Sequence, residues 1–147
     1  DDGQRFDNVL DLGCGTAVLA MSAARMGAAH VLASDIDPVA VEVALANVKA
    51  NGLVGRVSCV ESIGFDSPVL RAGAPFDLIF ANILKGPLIE LAPDMAADLA
   101  PGGRAILSGL LVEQADEIVE VYQGQGLALE TREDLGEWSA LTLRRLS

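Results

Sequence analysis

Four residues near the start of the chain have the types and spacing of a nucleoside-binding site. Residues 9–17, VLDLGCGTA, place Asp11 just before Gly13 and Gly15, and Asp35 ends a second apolar run in VLASDIDP. Glycines let a backbone turn sharply and approach a ligand with no Cβ in between. A carboxylate can accept both hydroxyls of a ribose, and Asp35 follows the turn by close to the ~20 residues that ribose recognition uses. The spacing predicts a nucleoside-binding crevice at the carboxyl ends of two strands.

The residues around the turn favour one nucleoside cofactor over another. A dinucleotide site has the pattern G-x-G-x-x-G, and this chain has Val18 at the third glycine position. Asp11 would repel a pyrophosphate, but it suits the amino group and sulfonium of S-adenosylmethionine. Ala17 stands where methyltransferases usually carry one more glycine, and we expect this smallest of changes to leave the loop intact. The sequence therefore favours S-adenosylmethionine over NAD.

A second candidate site follows the fourth predicted strand, in FDLIFANILKGPL at residues 76–88. Asn82 comes just after that strand, which we expect to lie beside the first strand at the switch point of the sheet. Its amide can both accept and donate hydrogen bonds. Beside a methyl donor, its carbonyl could hold an incoming amine with the lone pair aimed at the methyl carbon. The alternative is that Asn82 only caps the next helix.

Other reactive or aromatic side chains have structural interpretations, and no convincing general base is present. We expect His30 to face solvent or the sheet edge, and Trp138 and Tyr122 to pack in the core or hairpin. Cys14 is interpreted as a small turn residue. Glu61 fits either the adenine or ribose edge or a solvated acid. Two cysteines and one histidine are too few at these spacings for zinc.

The elements that would position these residues alternate between strand and helix, which predicts an α/β fold with a mostly parallel sheet and helices on both faces. Asp37 and Pro38 open the second helix as N-cap and first residue. The first helix is expected to bury Val18, Leu19, Ser22, Ala23 and Met26. Predicted strands are 9–12, 30–34, 56–61, 76–81 and 104–108; predicted helices include 16–26, 87–99 and 112–123; residues 62–75 are a loop with at most a short helix; and 127–132 with 138–144 form an antiparallel hairpin at the sheet edge.

Composition limits the class of protein. The 147 residues, 51% of them hydrophobic, fit one domain over residues 1–147. The chain has no apolar run of the ~18 residues needed to span a membrane and no signal-peptide pattern, so we expect a cytoplasmic location. A net charge of −11 argues against direct nucleic-acid binding and favours a basic or amine-bearing substrate.

Five runs together resemble a known family: VLDLGCG, SDIDP, FDLIFANIL, LAPGGRAILSGLL and GEWSALTLRR. They are similar to the PrmA family, the methyltransferases of the large-subunit ribosomal protein L-eleven, over residues 9–145. The resemblance implies a Rossmann-like class I methyltransferase fold with seven strands. It also implies methylation of lysine side chains and an N-terminal amine from S-adenosylmethionine. By position, Gly13 and Asp35 match the family's cofactor residues, and Asn82 matches its cofactor and substrate asparagine.

The chain departs from the family pattern in several places. Lys85 adds a positive charge where the family often has alanine. The family's N-terminal recognition domain, and its Phe-Gly-Thr-Gly run before the first strand, are not in these residues, which begin at Asp1 without an initiator methionine. We therefore expect a catalytic-domain fragment, monomeric, with weak or no activity by itself. A methyltransferase for another protein or a small amine, and a non-catalytic cofactor-binding fragment, remain alternatives.

Overall fold

In the computed structural model, which describes residues 6–15 and 17–146, one seven-stranded sheet organises the chain. Its strands are β1 (Asn8–Leu12), β2 (His30–Asp35), β3 (Val57–Glu61), β4 (Phe76–Asn82), β5 (Leu99–Leu111), β6 (Leu127–Leu135) and β7 (Trp138–Arg145). Their order is β3-β2-β1-β4-β5-β7-β6. The first five strands are parallel, and β7 runs antiparallel to both of its neighbours. The predicted fold class and the C-terminal hairpin are confirmed.

Helices cover both faces of this sheet. They are α1 (Val18–Arg25), α2 (Pro38–Ala50), α3 (Pro68–Gly73), α4 (Lys85–Glu90), α5 (Ala92–Asp98) and α6 (Val112–Gln123). One apolar core lies between the sheet and α1 with α2, around Ala20 and Ala44. The larger core lies on the other face, where Leu70, Leu88 and Ile118 from the remaining helices pack.

The strand order creates a switch point between β1 and its two neighbours. Strand β1 pairs in parallel with β2 on one side and with β4 on the other, as predicted. Leu12 is opposite both Ser34 and Ala81, so the three strands end at the same level. Ligands of open α/β sheets bind outside the carboxyl ends of strands at such a point. The fold therefore puts the predicted site residues at one edge.

The predicted helix over residues 87–99 is two short helices, α4 and α5. Pro93 lies at the start of α5, where its missing N–H and fixed φ are tolerated. In the interior of one continuous helix, the same proline would remove a hydrogen bond and clash with the preceding turn. The chain therefore ends one helix before Pro93 and begins another.

The predicted buried stripe of α1 is wrong. Val18 and Met26 are 58% and 68% exposed, and the buried face consists of Ala20, Met21 and Ala24. Two alanines on this face let the helix lie close to the sheet, while Val18 and Met26 lie outside the contact. Residue 16, predicted as the first residue of this helix, lies outside the described residues.

Candidate functional site

All five predicted site residues lie at the carboxyl edge of β1, β2 and β4. Asp11 lies near the end of β1, Gly13 and Gly15 follow it, Asp35 ends β2, and Asn82 ends β4. The backbone N–H of Cys14 donates to the Ser34 carbonyl at 2.7 Å, and this hydrogen bond holds the glycine turn (residues 13–15) against the neighbouring strand. The edge is thus a compact unit built from three adjacent strand ends.

The two glycines of the turn have different reasons for being glycine. Both adopt left-handed backbone conformations, with φ of +73° at Gly13 and +53° at Gly15. A Cβ on Gly13 would lie 2.7 Å from Cγ2 of Ile83, so the turn approaches the segment after β4 too closely for any side chain. A Cβ on Gly15 would have no described atom within 4 Å apart from its chain neighbours. Gly13 therefore packs the turn against β4, and Gly15 leaves open space above it.

Ala17 begins α1 in an unusual conformation. Its φ of 66° is left-handed, a region that costs a non-glycine residue about 1–2 kcal/mol, and its side chain is fully buried. As the N-cap it offers no side-chain hydrogen bond to the first turn of the helix. Another residue must therefore satisfy the free N–H groups of that turn.

Asp11, near the end of β1, accepts a hydrogen bond from the first turn of α1. Its Oδ2 accepts from the Ala20 N–H at 3.1 Å, and its side chain is buried. Burial is the main cause that raises the pKa of this carboxyl; the Ala20 hydrogen bond lowers it and the charge of Asp35 raises it, and together the three give a pKa of about 6. The structure places Asp11 beneath the turn rather than on its surface, where it fixes the start of α1.

The pKa of Asp11 predicts a specific pH dependence of stability. Between the ordinary aspartate pKa of 3.8 and about 6, the folded chain holds a proton that the unfolded chain releases, so Asp11 favours folding increasingly as pH falls through this window. The difference amounts to about 3 kcal/mol. We expect Asp11→Asn, which keeps an acceptor for Ala20, to gain about 3 kcal/mol relative to wild type between pH 4 and pH 7. Urea unfolding of both proteins across this range measures the free energy of unfolding at each pH. If the two pH profiles of stability ran parallel, the predicted effect of Asp11 would be contradicted.

Asp35 and Asp37 share the β2–α2 junction. Asp37 caps α2 as predicted, since its Oδ1 accepts from the Val39 N–H at 2.9 Å. Asp35 is not free of protein contacts: Oδ2 accepts from Gly15 N–H and Oδ1 from Asp37 N–H, both at 3.0 Å. Each carboxylate oxygen has a further lone pair, and the side chain is half-buried, so Asp35 can still accept from a ligand.

Asn82 is the last residue of β4, not the first after it, and it is exposed. The alternative interpretation, a cap for the next helix, is wrong, because α4 has Leu84 as its N-cap and no side-chain cap bond. Asn82 is paired with Ser108 of β5, and its Oδ1 lies against Gly109. Its amide is therefore available at the edge, beside the glycine turn.

The positions of the other reactive or aromatic residues considered in the sequence indicate what each of them does in the fold. Tyr122 is buried and donates to the Leu88 carbonyl at 2.7 Å, as expected for a core residue. Burial raises the pKa of the Cys14 thiol to about 12, which fits a structural role. Trp138 is 53% exposed, so its indole is not part of the core. Glu61 is exposed and lies beside Asp35 in the β2–β3 register.

Two residues of this edge are absent from the predicted set. The side chain of Ile83 packs against Gly13, and the backbone of Gly109 packs against the side chain of Asn82. Gly109 could have been found, because an isolated glycine inside an apolar strand run indicates a bulge. Ile83 carries no comparable signal, since its contact depends on tertiary packing.

The electrostatics of the edge suit a cationic ligand. Asp11, Asp35 and Glu61 lie at the carboxyl ends of β1, β2 and β3, and Asp37 follows two residues after β2 as the N-cap of α2. Among residues 6–15 and 17–146, no three His, Cys, Asp or Glu side chains are grouped so that they could hold a metal ion. Carboxylates that hydrogen-bond a ribose and attract an amino group or sulfonium fit S-adenosylmethionine, and they disfavour a pyrophosphate.

A separate groove of about 630 Å³ lies on the α1 face of the sheet. Its lining includes Phe6, Leu19, Phe80 and Ile106, and none of the five predicted site residues. We assign the chemistry to the strand ends rather than to this groove, because the polar groups converge at the strand ends.

No helix of the described part of the chain is long and apolar enough to cross a membrane.

Comparison with known families and sequences gives a consistent match. The family described as ribosomal protein L11 methyltransferase (PrmA) matches residues 2–146. A ribosomal protein L11 methyltransferase of Brucella suis is 47% identical over 137 residues, which are 93% of this chain and 48% of that protein. The Bradyrhizobium diazoefficiens protein of the same name is 46% identical over 142 residues, 97% of this chain and 48% of its own length. The chain spans about half the length of these curated relatives.

Solved structures match the fold. A ribosomal protein L11 methylase from Lactobacillus delbrueckii subsp. bulgaricus superimposes with a TM-score of 0.88 at 28% identity, covering 99% of this chain and 72% of that one. A Pyrococcus furiosus methyltransferase gives 0.77 at 22% identity, covering 94% and 74%. A putative methyltransferase complexed with SAH gives 0.78 at 20% identity, covering 92% and 44%. The latter two show likeness of fold alone.

Proposed function

The chain belongs to the PrmA family of ribosomal protein L11 methyltransferases, and we propose that it is the catalytic portion that transfers methyl groups from S-adenosylmethionine to amino groups of that ribosomal protein. Lysine side chains and the N-terminal amine are the proposed acceptors. Because the chain spans about half of its relatives' length, substrate recognition is proposed for the longer protein. A ribosomal protein substrate would place this activity in the cytoplasm, and we propose a monomer.

The observation that carries the proposal is the meeting of Asp35, the glycine turn and Asn82 at adjacent strand ends. Asp35 holds the N–H of Gly15 and keeps lone pairs for the two hydroxyls of a ribose. Gly13 lets the turn pack against Ile83, directly after Asn82 at the end of β4. A cofactor bound over the turn would have its reacting end near this amide.

Each residue then has a defined task. S-adenosylmethionine supplies a methyl carbon activated by its sulfonium. Asn82 would accept a hydrogen bond from the incoming neutral amine and hold its nitrogen lone pair toward the methyl carbon, and the methylated ammonium would release its proton to solvent. Asp11 acts as a positioning residue, since it holds the start of α1 through Ala20. Orientation of this kind contributes roughly 7–11 kcal/mol of barrier reduction in well-aligned reactions.

Charges around the edge support a basic acceptor. The chain has a net charge of −11, which attracts a protein rich in lysine. Lys85 follows Asn82 closely and could have repelled such a substrate. Its Nζ lies 2.6 Å from Oε1 of Glu117, an ion pair that offsets its charge. The departure from the family pattern at Lys85 therefore leaves the site acidic.

Binding and transfer can be tested separately. We expect isothermal titration calorimetry on this chain to detect S-adenosylmethionine and not NAD; binding of NAD alone would overturn the cofactor assignment. We expect the longer protein that contains this chain to incorporate radiolabelled methyl groups into ribosomal protein L11, with mass spectrometry locating them on amines. Methylation of another protein or of small amines, with none on L11, would overturn the substrate and retain the methyltransferase.

A further inference from the structure

We propose that Gly109 is a positioning residue for methyl transfer, because it sets the direction of the Asn82 amide through a bulge in β5. The inference rests on the role proposed for Asn82 and deepens it. It concerns a residue on a neighbouring strand that touches neither cofactor nor substrate. Its effect would pass entirely through the Asn82 side chain.

Strand β5 contains one extra residue at this point. On its β7 side, Leu107 is opposite Leu141 and Leu110 is opposite Ser139. Three steps along β5 therefore match two steps along β7, which defines a β-bulge. On the other side of β5, Ser108 keeps its pairing with Asn82. The bulge therefore lies at Ser108 and Gly109, directly beside the end of β4.

The bulge brings the Gly109 backbone against the Asn82 side chain. A Cβ on Gly109 would lie 2.2 Å from Oδ1 of Asn82 and 3.4 Å from its Cγ. Cβ contacts below 3.0 Å essentially never occur in proteins. Gly109 also has φ of +76°, a conformation that glycine adopts readily. With any other residue at position 109, the amide of Asn82 would have to turn away.

That displacement would reach the reaction because the orientation of the amine depends on the Asn82 carbonyl. A misplacement of about 1 Å at a reacting centre can reduce a rate about 100-fold. Bulges next to active sites commonly re-aim a side chain. The absence of a Cβ at Gly109 would therefore matter for catalysis as well as for folding.

The test uses two glycines of the same strand in the longer protein. Gly109→Ala should lower kcat by about 10–100-fold and leave the dissociation constant of S-adenosylmethionine within about threefold. Gly102→Ala is the control: its φ is +78°, and a Cβ there would meet no described atom within 4 Å apart from chain neighbours. It imposes the same backbone strain without touching Asn82, and its kcat should remain within about threefold of wild type. Equal losses of kcat in both variants would overturn the inference.

A double-mutant cycle keeps the contact testable even if Gly109→Ala is unstable. In an Asn82→Ala background, Gly109→Ala should lower the free energy of unfolding less than it does in wild type, and should lower kcat no further. The side-chain amide signal of Asn82, in protein labelled with 15N-asparagine, should shift in Gly109→Ala and not in Gly102→Ala. Additive losses of stability or an unmoved signal would overturn the contact. If Asn82→Ala alone left kcat unchanged, the proposed role of Asn82 would fail instead.

Discussion

Replacing Asn82 with alanine is expected to reduce kcat for methyl transfer by about 100-fold in the longer protein that contains this chain. The affinity for S-adenosylmethionine should fall by no more than about tenfold, the value of one hydrogen bond. The amide lies exposed at the end of β4, so its loss leaves no buried cavity. Steady-state kinetics together with calorimetry separates the two effects.

The reason for this split is the position of Asn82 relative to the glycine turn. The turn packs against the β4 exit through Gly13 and Ile83, and this contact survives truncation of Asn82. What is lost is the acceptor that would orient the amine. An interaction made chiefly in the transition state appears in kcat rather than in binding.

Asn47→Ala, which removes an asparagine amide from the middle of α2, is a suitable control. Its kcat should stay within about twofold of wild type, because α2 packs on β2 and β3 rather than at the end of β4. A loss of affinity in Asn82→Ala that accounts for the whole loss of kcat/KM would contradict the assignment. Asn82 would then be a cofactor ligand without a part in orienting the amine.

The sequence predicted the parts of this site that are encoded locally. The glycine turn, Asp35 and the Asp37 cap depend on residues within a few positions of one another or at a fixed interval. The parallel order followed from alternating strands and helices, which leave few ways to connect a sheet. These features required no knowledge of packing between distant segments.

The features that the sequence did not predict depend on tertiary packing. The raised pKa of Asp11 comes from burial, which becomes defined only when α1 covers the turn. The buried face of α1 was predicted wrongly because Ala20 and Ala24 pack closely despite their small size, while Val18 remains exposed. The role proposed for Gly109 rests on its contact with Asn82 between two adjacent strands.

Replacing Asp35 with alanine is expected to weaken S-adenosylmethionine binding by about 100-fold, and this chain alone suffices for the measurement. Hydrogen bonds to a charged group contribute about 1.5–3 kcal/mol each, so losing both ribose hydroxyl contacts costs about 3 kcal/mol or more. The turn would also lose the acceptor for Gly15 N–H, which helps hold it to β2. Calorimetry at fixed pH and salt measures the change.

Asp37→Ala separates the loss of a negative charge from the loss of a ribose contact. It removes an equal charge two residues away and removes the cap of α2, which lowers stability by about 1 kcal/mol. Its backbone N–H still donates to Asp35, so the geometry of the Asp35 carboxylate is kept. Its affinity for the cofactor should remain within about threefold of wild type, since an exposed charge several ångströms from the ligand contributes less than about 1 kcal/mol in water.

Asp35→Asn should fall between the two, because the amide keeps one acceptor oxygen and loses the charge. The expected order of affinity is wild type, then Asp37→Ala, Asp35→Asn and Asp35→Ala. If Asp35→Ala and Asp37→Ala bound S-adenosylmethionine equally well, the carboxylate of Asp35 would serve only to tie Gly15 to the β2–α2 junction. The ribose would then have to be held by another acid at this edge, and Glu61, beside Asp35 in the register, would be the next residue to replace.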